Sequence, residues 1–157
     1  EETDSILARL ETLNRAGFLT LASQPGFEGR IDGRAVRQRA FVTGFGDVDV
    51  TRRLLSSSTG RGSRTLAGSG IEVRAWGPGG AAHASALEIA EPMTLVDGTA
   101  RVLSGHAARS EELALFQDEI GSNAFQALSR TTYLAAWDPS FGRRTFLWDE
   151  LERRLRT

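Results

Sequence analysis

The sequence predicts a single α+β domain, residues 1–157, in which mixed β-sheets are flanked by helices. The chain has 157 residues, of which 40% are apolar and 25% charged, as is typical of one globular domain. Its apolar residues switch between the alternating spacing of strands and the three-and-four spacing of helices. Because the two kinds of segment follow one another irregularly, the pattern favours α+β over a regularly wound parallel sheet.

The first half of the chain predicts two helices and two strands. Ile6, Leu10 and Leu13 recur at helical spacing, and Gly17 is a suitable residue to end that helix. The buried strand that follows ends at a Pro-Gly pair, and a polar stretch containing glycine separates it from the next strand. The expected elements are a helix over 4–16, a strand over 18–22, a loop over 27–36, a strand over 38–45 and a helix over 47–57.

The second half is less regular. An exposed connection rich in Gly, Ser and Thr is expected over 58–70, and a turn over 77–80. A short strand or loop begins at Thr94, and amphipathic spacing indicates a helix that places Leu113, Phe116 and Ile120 inward. The remaining expected elements are strands over 71–76 and 131–137 and helices over 107–120, 123–128 and 146–155.

Composition excludes several functional classes. The chain has no cysteine, which removes disulfides, thiolate catalysis and cysteine-based zinc sites and favours a reducing cytoplasm. It also has no lysine, so that all 19 basic residues are arginine, and neither a Schiff-base lysine nor a P-loop lysine is available. The net charge of −1 argues against nucleic acid as a partner, and no apolar run is long enough to cross a membrane.

The familiar catalytic and cofactor motifs are incomplete. His83 and His106 do not have the spacing of metal ligands, so no metal is expected. Gly44 and Gly46 resemble the start of a nucleotide-binding turn, but the third glycine and the later acidic residue are missing, which favours a plain strand end. The nucleophile elbow of serine hydrolases is also absent.

Polar side chains interrupt the first predicted strand. Thr20 lies within it and Ser23 follows just before Gln24 and Pro25. Hydroxyl groups in a buried strand need hydrogen-bond partners. Two interpretations remain open: the hydroxyls bond to nearby backbone, or they line a small polar pocket together with an acidic residue from the N-terminal segment.

The same residues carry a resemblance to a known family. The segment Asn-Arg-Ala-Gly-Phe-Leu-Thr-Leu-Ala-Ser-Gln-Pro, residues 14–25, resembles the regulatory domain of eukaryotic methylenetetrahydrofolate reductase. Gln38 to Phe41 and Pro92 to Asp97 resemble two further segments of that domain, whereas residues 46–90 match poorly. The segments that begin at Asn14 and at Asp138 are also similar to standalone actinobacterial proteins.

This resemblance implies an α+β fold and binding of S-adenosylmethionine. The family contacts carry over to Glu2, Thr3, Thr20, Ser23, Thr94 and Glu111. Carboxylates can pair with the ammonium or the ribose diol, and hydroxyls can bond the ligand's carboxylate or ammonium. An aromatic ring such as Phe18 or Trp137 would add a cation–π contact to the sulfonium. The reductase's catalytic barrel is absent from these 157 residues, so its inhibition is not implied.

Three functional hypotheses follow. The first is a standalone domain that senses or carries S-adenosylmethionine or a related adenosyl compound, and reports its level to a protein partner. The second is an enzyme that consumes the same molecule, because a sulfonium is an activated leaving group; Glu111, Asp97 and Glu2 are then the candidates for a base or an electrostatic stabiliser. The third is a protein-interaction domain without a small-molecule ligand.

Overall fold

The computed structural model describes residues 4, 6–55, 64–66, 69–76, 93–101 and 117–156. Within these ranges the chain forms four helices and eight strands. The helices are α1 Leu7–Arg15, α2 Val48–Leu55, α3 Ser122–Ser129 and α4 Phe146–Leu155. The strands are β1 Phe18–Gln24, β2 Phe27–Ile31, β3 Arg34–Gly46, β4 Arg64–Thr65, β5 Glu72–Trp76, β6 Thr94–Val96, β7 Thr99–Arg101 and β8 Thr132–Phe141.

A single long strand organises the sheet. β3 spans 13 residues and is shared by two sets of neighbours along its length. Its first half pairs with β2 on one side and β6 on the other, and its second half pairs with β1 and β8. The strand order is β4-β5-β8-β3-β6-β7, and β1 and β2 lie end to end along β3, paired with its second and first halves respectively. All pairings between described strands are antiparallel.

The sheet has apolar residues on both faces. On one face α1, α2 and α4 pack over alternate residues of the central strands, around the fully buried Trp148 and Phe18. On the other face α3 contributes Leu128 to a smaller, more aromatic cluster built on Phe45 and Trp137. Burial of both faces explains why β3 and β8 are apolar over consecutive residues instead of alternating with polar ones.

Two hairpins turn on Asp-Gly pairs. Asp32 and Gly33 join β2 to β3 with φ values of 48° and 78°, and Asp97 and Gly98 join β6 to β7 with 49° and 76°. Two successive positive φ values define the type I′ turn, whose twist matches that of the strands it connects. Aspartate and glycine are the residues that adopt this conformation most readily.

The α+β prediction is confirmed, with helices flanking a sheet, although the expected mixture of strand directions is not found among the described strands. The four described helices and the strands β1, β3, β5, β6 and β8 all occur where the sequence predicted them. The turn expected over 77–80 lies outside the described residues, and so does the helix expected over 107–120 except for its last four residues. Most of the 58–70 connection also lies outside them.

Two assignments were wrong. The stretch 27–36 is no loop, since it contains β2, a tight turn and the start of β3; its polar residues face solvent on an exposed hairpin. The end of the expected connection is also structured, because Arg64 and Thr65 pair with β5 and Leu66 is fully buried. β7 was not expected at all, and its three residues were too few to show a period.

Candidate functional site

Thr20 is held by the end of α1. Its backbone N–H donates to the side-chain oxygen of Asn14 at 2.7 Å, and its hydroxyl donates to the same oxygen at 3.2 Å. The backbone donor identifies the Asn14 atom as the carbonyl oxygen, which can only accept. The Thr20 hydroxyl proton is therefore used within the protein, and its lone pairs remain available to a donor on another molecule.

Ser23 lies on the same face of β1 as Thr20. In a regular strand, residues three apart point to opposite faces. Here the ladder shifts register between Thr20 and Ala22, so that Leu21 is a β-bulge residue; Thr20 pairs with Gly44, and Ser23 pairs with Val42. Gly44 and Val42 share one face of β3. The bulge thus turns two hydroxyls to the side of the sheet that carries α1.

β1 leaves an open edge beside these hydroxyls. It pairs with β3, and no other strand in the described ranges pairs with it. Thr20 and Ser23 are half-buried, and Leu19 is 48% exposed. Bulged edge strands carry backbone groups that do not join the sheet ladder. Backbone donors and acceptors therefore lie next to the two hydroxyls.

Thr94 lies across β3 from this edge. It opens β6 and pairs with Gln38, four residues along β3 from the partner of Ser23. Standard strand spacings place Thr94 on the order of 15 Å from Ser23. The two hydroxyls cannot contact one functional group of a ligand, and only an extended molecule could reach both.

Asp97 belongs to the hairpin turn between β6 and β7. Its carboxylate accepts hydrogen bonds from the Arg34 guanidinium at 2.9 Å and from the Ala35 backbone N–H at 2.8 Å. These bonds, the one from Arg34 foremost, hold the pKa of the exposed Asp97 carboxyl below its ordinary value. A lowered pKa makes the group a weaker base at neutral pH. Glu2, Thr3 and Glu111 lie outside the described residues.

The Ser-Gln-Pro-Gly segment packs against the Asp-Pro-Ser-Phe-Gly-Arg segment. A Cβ atom at Gly26 would stand 2.7 Å from the carbonyl oxygen of Arg143, so only glycine fits this contact without a shift. Two glutamines fix the bend that precedes it: Gln38 donates to the Pro25 carbonyl at 3.1 Å, and Gln24 donates to the Arg39 carbonyl at 3.2 Å. The two sequence motifs therefore form one junction in space.

A buried carboxylate lies within this junction. Asp138 has no solvent exposure, and its Oδ1 atom accepts from the Ser140 N–H at 2.8 Å and from the Arg143 guanidinium. Arg143 in turn stacks on Phe146, 4.0 Å from the ring centroid. In the sequence, Asp138 is recognisable only as the start of a motif. Its position between a buried apolar strand and a proline was the available signal of a buried charge.

The aromatic rings proposed to face the sulfonium are both enclosed. Phe18 is fully buried beneath α1, and Trp137 is 1% exposed in the cluster on the opposite face of the sheet. The Arg74 guanidinium also lies 5.3 Å from the Trp137 ring centroid, where it already supplies a cation. In this conformation neither ring presents a free face to a ligand at the β1 edge.

The described residues contain neither a cluster of metal ligands nor a helix that could span a membrane. These ranges hold no group of three or more His, Asp or Glu side chains positioned to bind a metal ion. His83 and His106 lie outside them. None of the helices in the same ranges has the length and apolar character needed to cross a bilayer.

An antiparallel α+β sheet domain with a hydroxyl-bearing, bulged edge strand is the class of protein that these features define. The chain belongs to the family described as Domain of unknown function (DUF6919), whose sequence profile matches residues 1–157. A search of the curated proteins finds no match to the sequence.

Proposed function

We propose that the protein binds S-adenosylmethionine or a closely related adenosyl compound at the open edge of β1. The observation that carries the proposal is the pair of hydroxyls, Thr20 and Ser23, which the Leu21 bulge turns to one face of an edge strand. Both belong to the segment that resembles the S-adenosylmethionine-binding regulatory domain. The likeness of the sequence and the placement of the hydroxyls both support this edge as the site.

The hydrogen bonding of Thr20 defines what it would recognise. Because its proton is given to Asn14, the hydroxyl can only accept from a ligand, and an ammonium or a ribose hydroxyl is the complementary group. The Ser23 hydroxyl can rotate about its C–O bond, and it can therefore donate to the ligand carboxylate. The open backbone edge of β1 offers the alternating donors and acceptors that an adenine edge requires.

The N-terminal segment is the proposed source of the acidic contact. The chain reverses at Ala16 and Gly17, so that β1 runs back past α1. At about 3.3 Å per strand residue and 1.5 Å per helix residue, Ser23 and Leu7 are each about 10 Å from the Asn14–Thr20 contact. Glu2 and Thr3 precede α1 in the sequence, and in this proposal the Glu2 carboxylate would offset the sulfonium charge. Thr94 would serve the far end of an extended ligand, and Glu111 is the second acidic contact that the resemblance implies.

Binding without turnover is the form of the proposal that the described residues favour. Asp97, the candidate base among them, is engaged by Arg34 and Ala35 and has a lowered pKa. The protein would then act as a sensor or carrier, which requires that the ligand bind two states of the protein, or of a complex with a protein partner, unequally. The absence of cysteine fits action in the cytoplasm.

Calorimetry combined with mass spectrometry of the recovered ligand tests the proposal. Purified protein should release or absorb heat on titration with S-adenosylmethionine, and the ligand should be recovered intact. Combining Thr20→Val with Ser23→Ala should abolish the heat while circular dichroism shows a folded protein. Thr12→Val removes a hydroxyl that bonds to the Ala8 carbonyl within α1, and this control should bind normally.

The other outcomes are equally informative. Recovery of methylthioadenosine, homoserine lactone or S-adenosylhomocysteine would show an enzyme and replace the carrier proposal. Binding that is unchanged in the double variant would move the site away from β1. An absence of heat and of turnover would leave the fold without this function.

A further inference from the structure

The outer edge of β2 is an exposed strand edge. β2 pairs with β3, and no second strand in the described ranges joins it. Its last four residues are exposed to solvent, and Ile31 retains 42% of its surface. An open strand edge is a template for pairing with another chain unless charges or bulges protect it. The pairing of β2 with β3 runs through five residues without a register shift, so this edge has no bulge.

The sequence of β2 is complementary to itself. The strand reads Phe27-Glu28-Gly29-Arg30-Ile31, an acid and a base placed symmetrically about glycine and enclosed by two apolar residues. If two copies pair antiparallel about Gly29, Glu28 of each copy lies opposite Arg30 of the other. Phe27 of each then lies opposite Ile31 of the other. Directly opposed residues of opposite charge stabilise an antiparallel pair.

The faces of the strand agree with this register. Phe27, Gly29 and Ile31 share the face of their partners Gln38, Val36 and Arg34, while Glu28 and Arg30 occupy the other. The symmetric pairing keeps apolar residues together on one face and both charge pairs on the other. Glu28 already contacts Arg37 at 3.1 Å through Oε1, and Arg30 donates to the Gly33 carbonyl. A carboxylate and a guanidinium each have further acceptors and donors with which to pair across the interface.

We propose that two copies of this chain associate through β2, in antiparallel register centred on Gly29, to form one sheet continuous across a two-fold axis. Such an interface is isologous, so that one contact is made twice. A five-residue edge is small beside the surface buried in a typical stable dimer. The association is therefore weak and depends on protein concentration. This inference goes beyond ligand binding and does not rest on it.

Sedimentation of the full chain over a range of concentrations, at low salt, tests the proposal. The unmodified protein should shift from monomer to dimer. Glu28→Arg alone places like charges opposite each other at two positions, and so does Arg30→Glu alone; each should weaken the dimer by on the order of tenfold or more. Glu11→Arg, which breaks an exposed ion pair with Arg15 on α1, should leave dimerisation unchanged.

Mixing the two single variants is the most decisive part of the experiment. A Glu28→Arg chain opposed to an Arg30→Glu chain restores an attractive pair at both positions, so the mixture should form a heterodimer that neither variant forms alone. The double variant Glu28→Arg/Arg30→Glu should dimerise again by the same reasoning. The double variant still lacks the contact between Glu28 and Arg37. Restored dimerisation would therefore come from the charge pairs between the two copies and not from that contact.

Three results would overturn the proposal. One is a protein that remains monomeric at every concentration. Another is a dimer that is indifferent to both single reversals, which would place the interface elsewhere on the surface. The third is a mixture that stays monomeric although both variants have the circular dichroism spectrum of the folded chain.

Discussion

Asn14 and Thr20 are linked by two hydrogen bonds that end on one side-chain oxygen, 2.7 Å from the Thr20 nitrogen and 3.2 Å from its hydroxyl. This link joins the last turn of α1 to the edge strand β1. Because the Thr20 hydroxyl donates its proton to Asn14, it can act toward a ligand only as an acceptor. Replacing Asn14 with alanine should lower the free energy of unfolding by about 1–2 kcal/mol, because both donors lose their partner at a partly exposed position. Urea denaturation measures the difference.

Asn14→Asp is the matched control for that prediction. Aspartate keeps an oxygen at the same place and should retain most of the stability, along with any binding of ligand at β1. If Asn14→Ala and Asn14→Asp were equally destabilised, the two hydrogen bonds would not be the cause.

Gly26 should not tolerate a side chain. A methyl group there would stand 2.7 Å from the Arg143 carbonyl oxygen, and the backbone on one side would have to move. We expect Gly26→Ala to cost about 1–3 kcal/mol, as overpacking usually does. Gly121 has open space around it and a φ of −54°, so Gly121→Ala meets no clash. Because Gly121 is the N-cap of α3, where alanine is less favourable than glycine, we expect a loss of less than about 1 kcal/mol. A similar loss in both variants would argue against the junction.

Arg143 should matter more than its neighbour Arg144. Asp138 is fully buried and Arg143 is its charged partner, although the Arg143 side chain keeps 37% of its exposure. Arg143→Met would leave a buried carboxylate without that partner, and we expect a loss of roughly 2–3 kcal/mol after allowing for solvent near the guanidinium. Arg144 is exposed, and Arg144→Met should be nearly neutral. Thermal unfolding of the two variants measures the difference.

The stability contributed by Asp97 should depend on pH. The Arg34 hydrogen bond lowers the pKa of this carboxyl from its ordinary value of 3.8. A group whose pKa is lower in the folded protein stabilises it above the ordinary value, and that contribution is lost as the pH falls through the folded pKa. Asp97→Asn retains the turn, since asparagine also adopts positive φ.

The melting temperature of Asp97→Asn measures this contribution. At pH 7 the variant should melt below the unmodified protein, and the gap should close as the pH is lowered below about 3.8. A gap that stayed constant from pH 7 to pH 2.5 would show that the charge of Asp97 contributes nothing.

Helical periodicity predicted most of the fold where the pattern was long. The stripe of Leu147, Leu151 and Leu155 identified α4, and Ile6, Leu10 and Leu13 identified α1. The β2–β3 hairpin was missed because its exposed strands are polar and carry glycine. Yet Asp32-Gly33 is the strongest short signal of a two-residue hairpin turn. Weight given to that pair would have predicted β2 and the first residues of β3.

The candidate site was predictable only in part. The sequence placed Thr20 in the first strand and Ser23 directly after it, and in a regular strand that continued through Ser23 the two side chains would point to opposite faces. Their shared face depends on the bulge at Leu21, which forms only when β1 pairs with β3 and which no pattern within β1 reveals. The buried state of Asp138 likewise depends on packing between distant segments.

Titration of the isotopically labelled protein with S-adenosylmethionine, followed by the backbone amide resonances, tests the central claim most directly. The proposal predicts saturable shifts centred on the amides of Thr20 to Ser23, together with Asn14, and little change at the Gly33 turn. Saturable shifts confined to other parts of the chain, or no shifts at millimolar ligand, would contradict it.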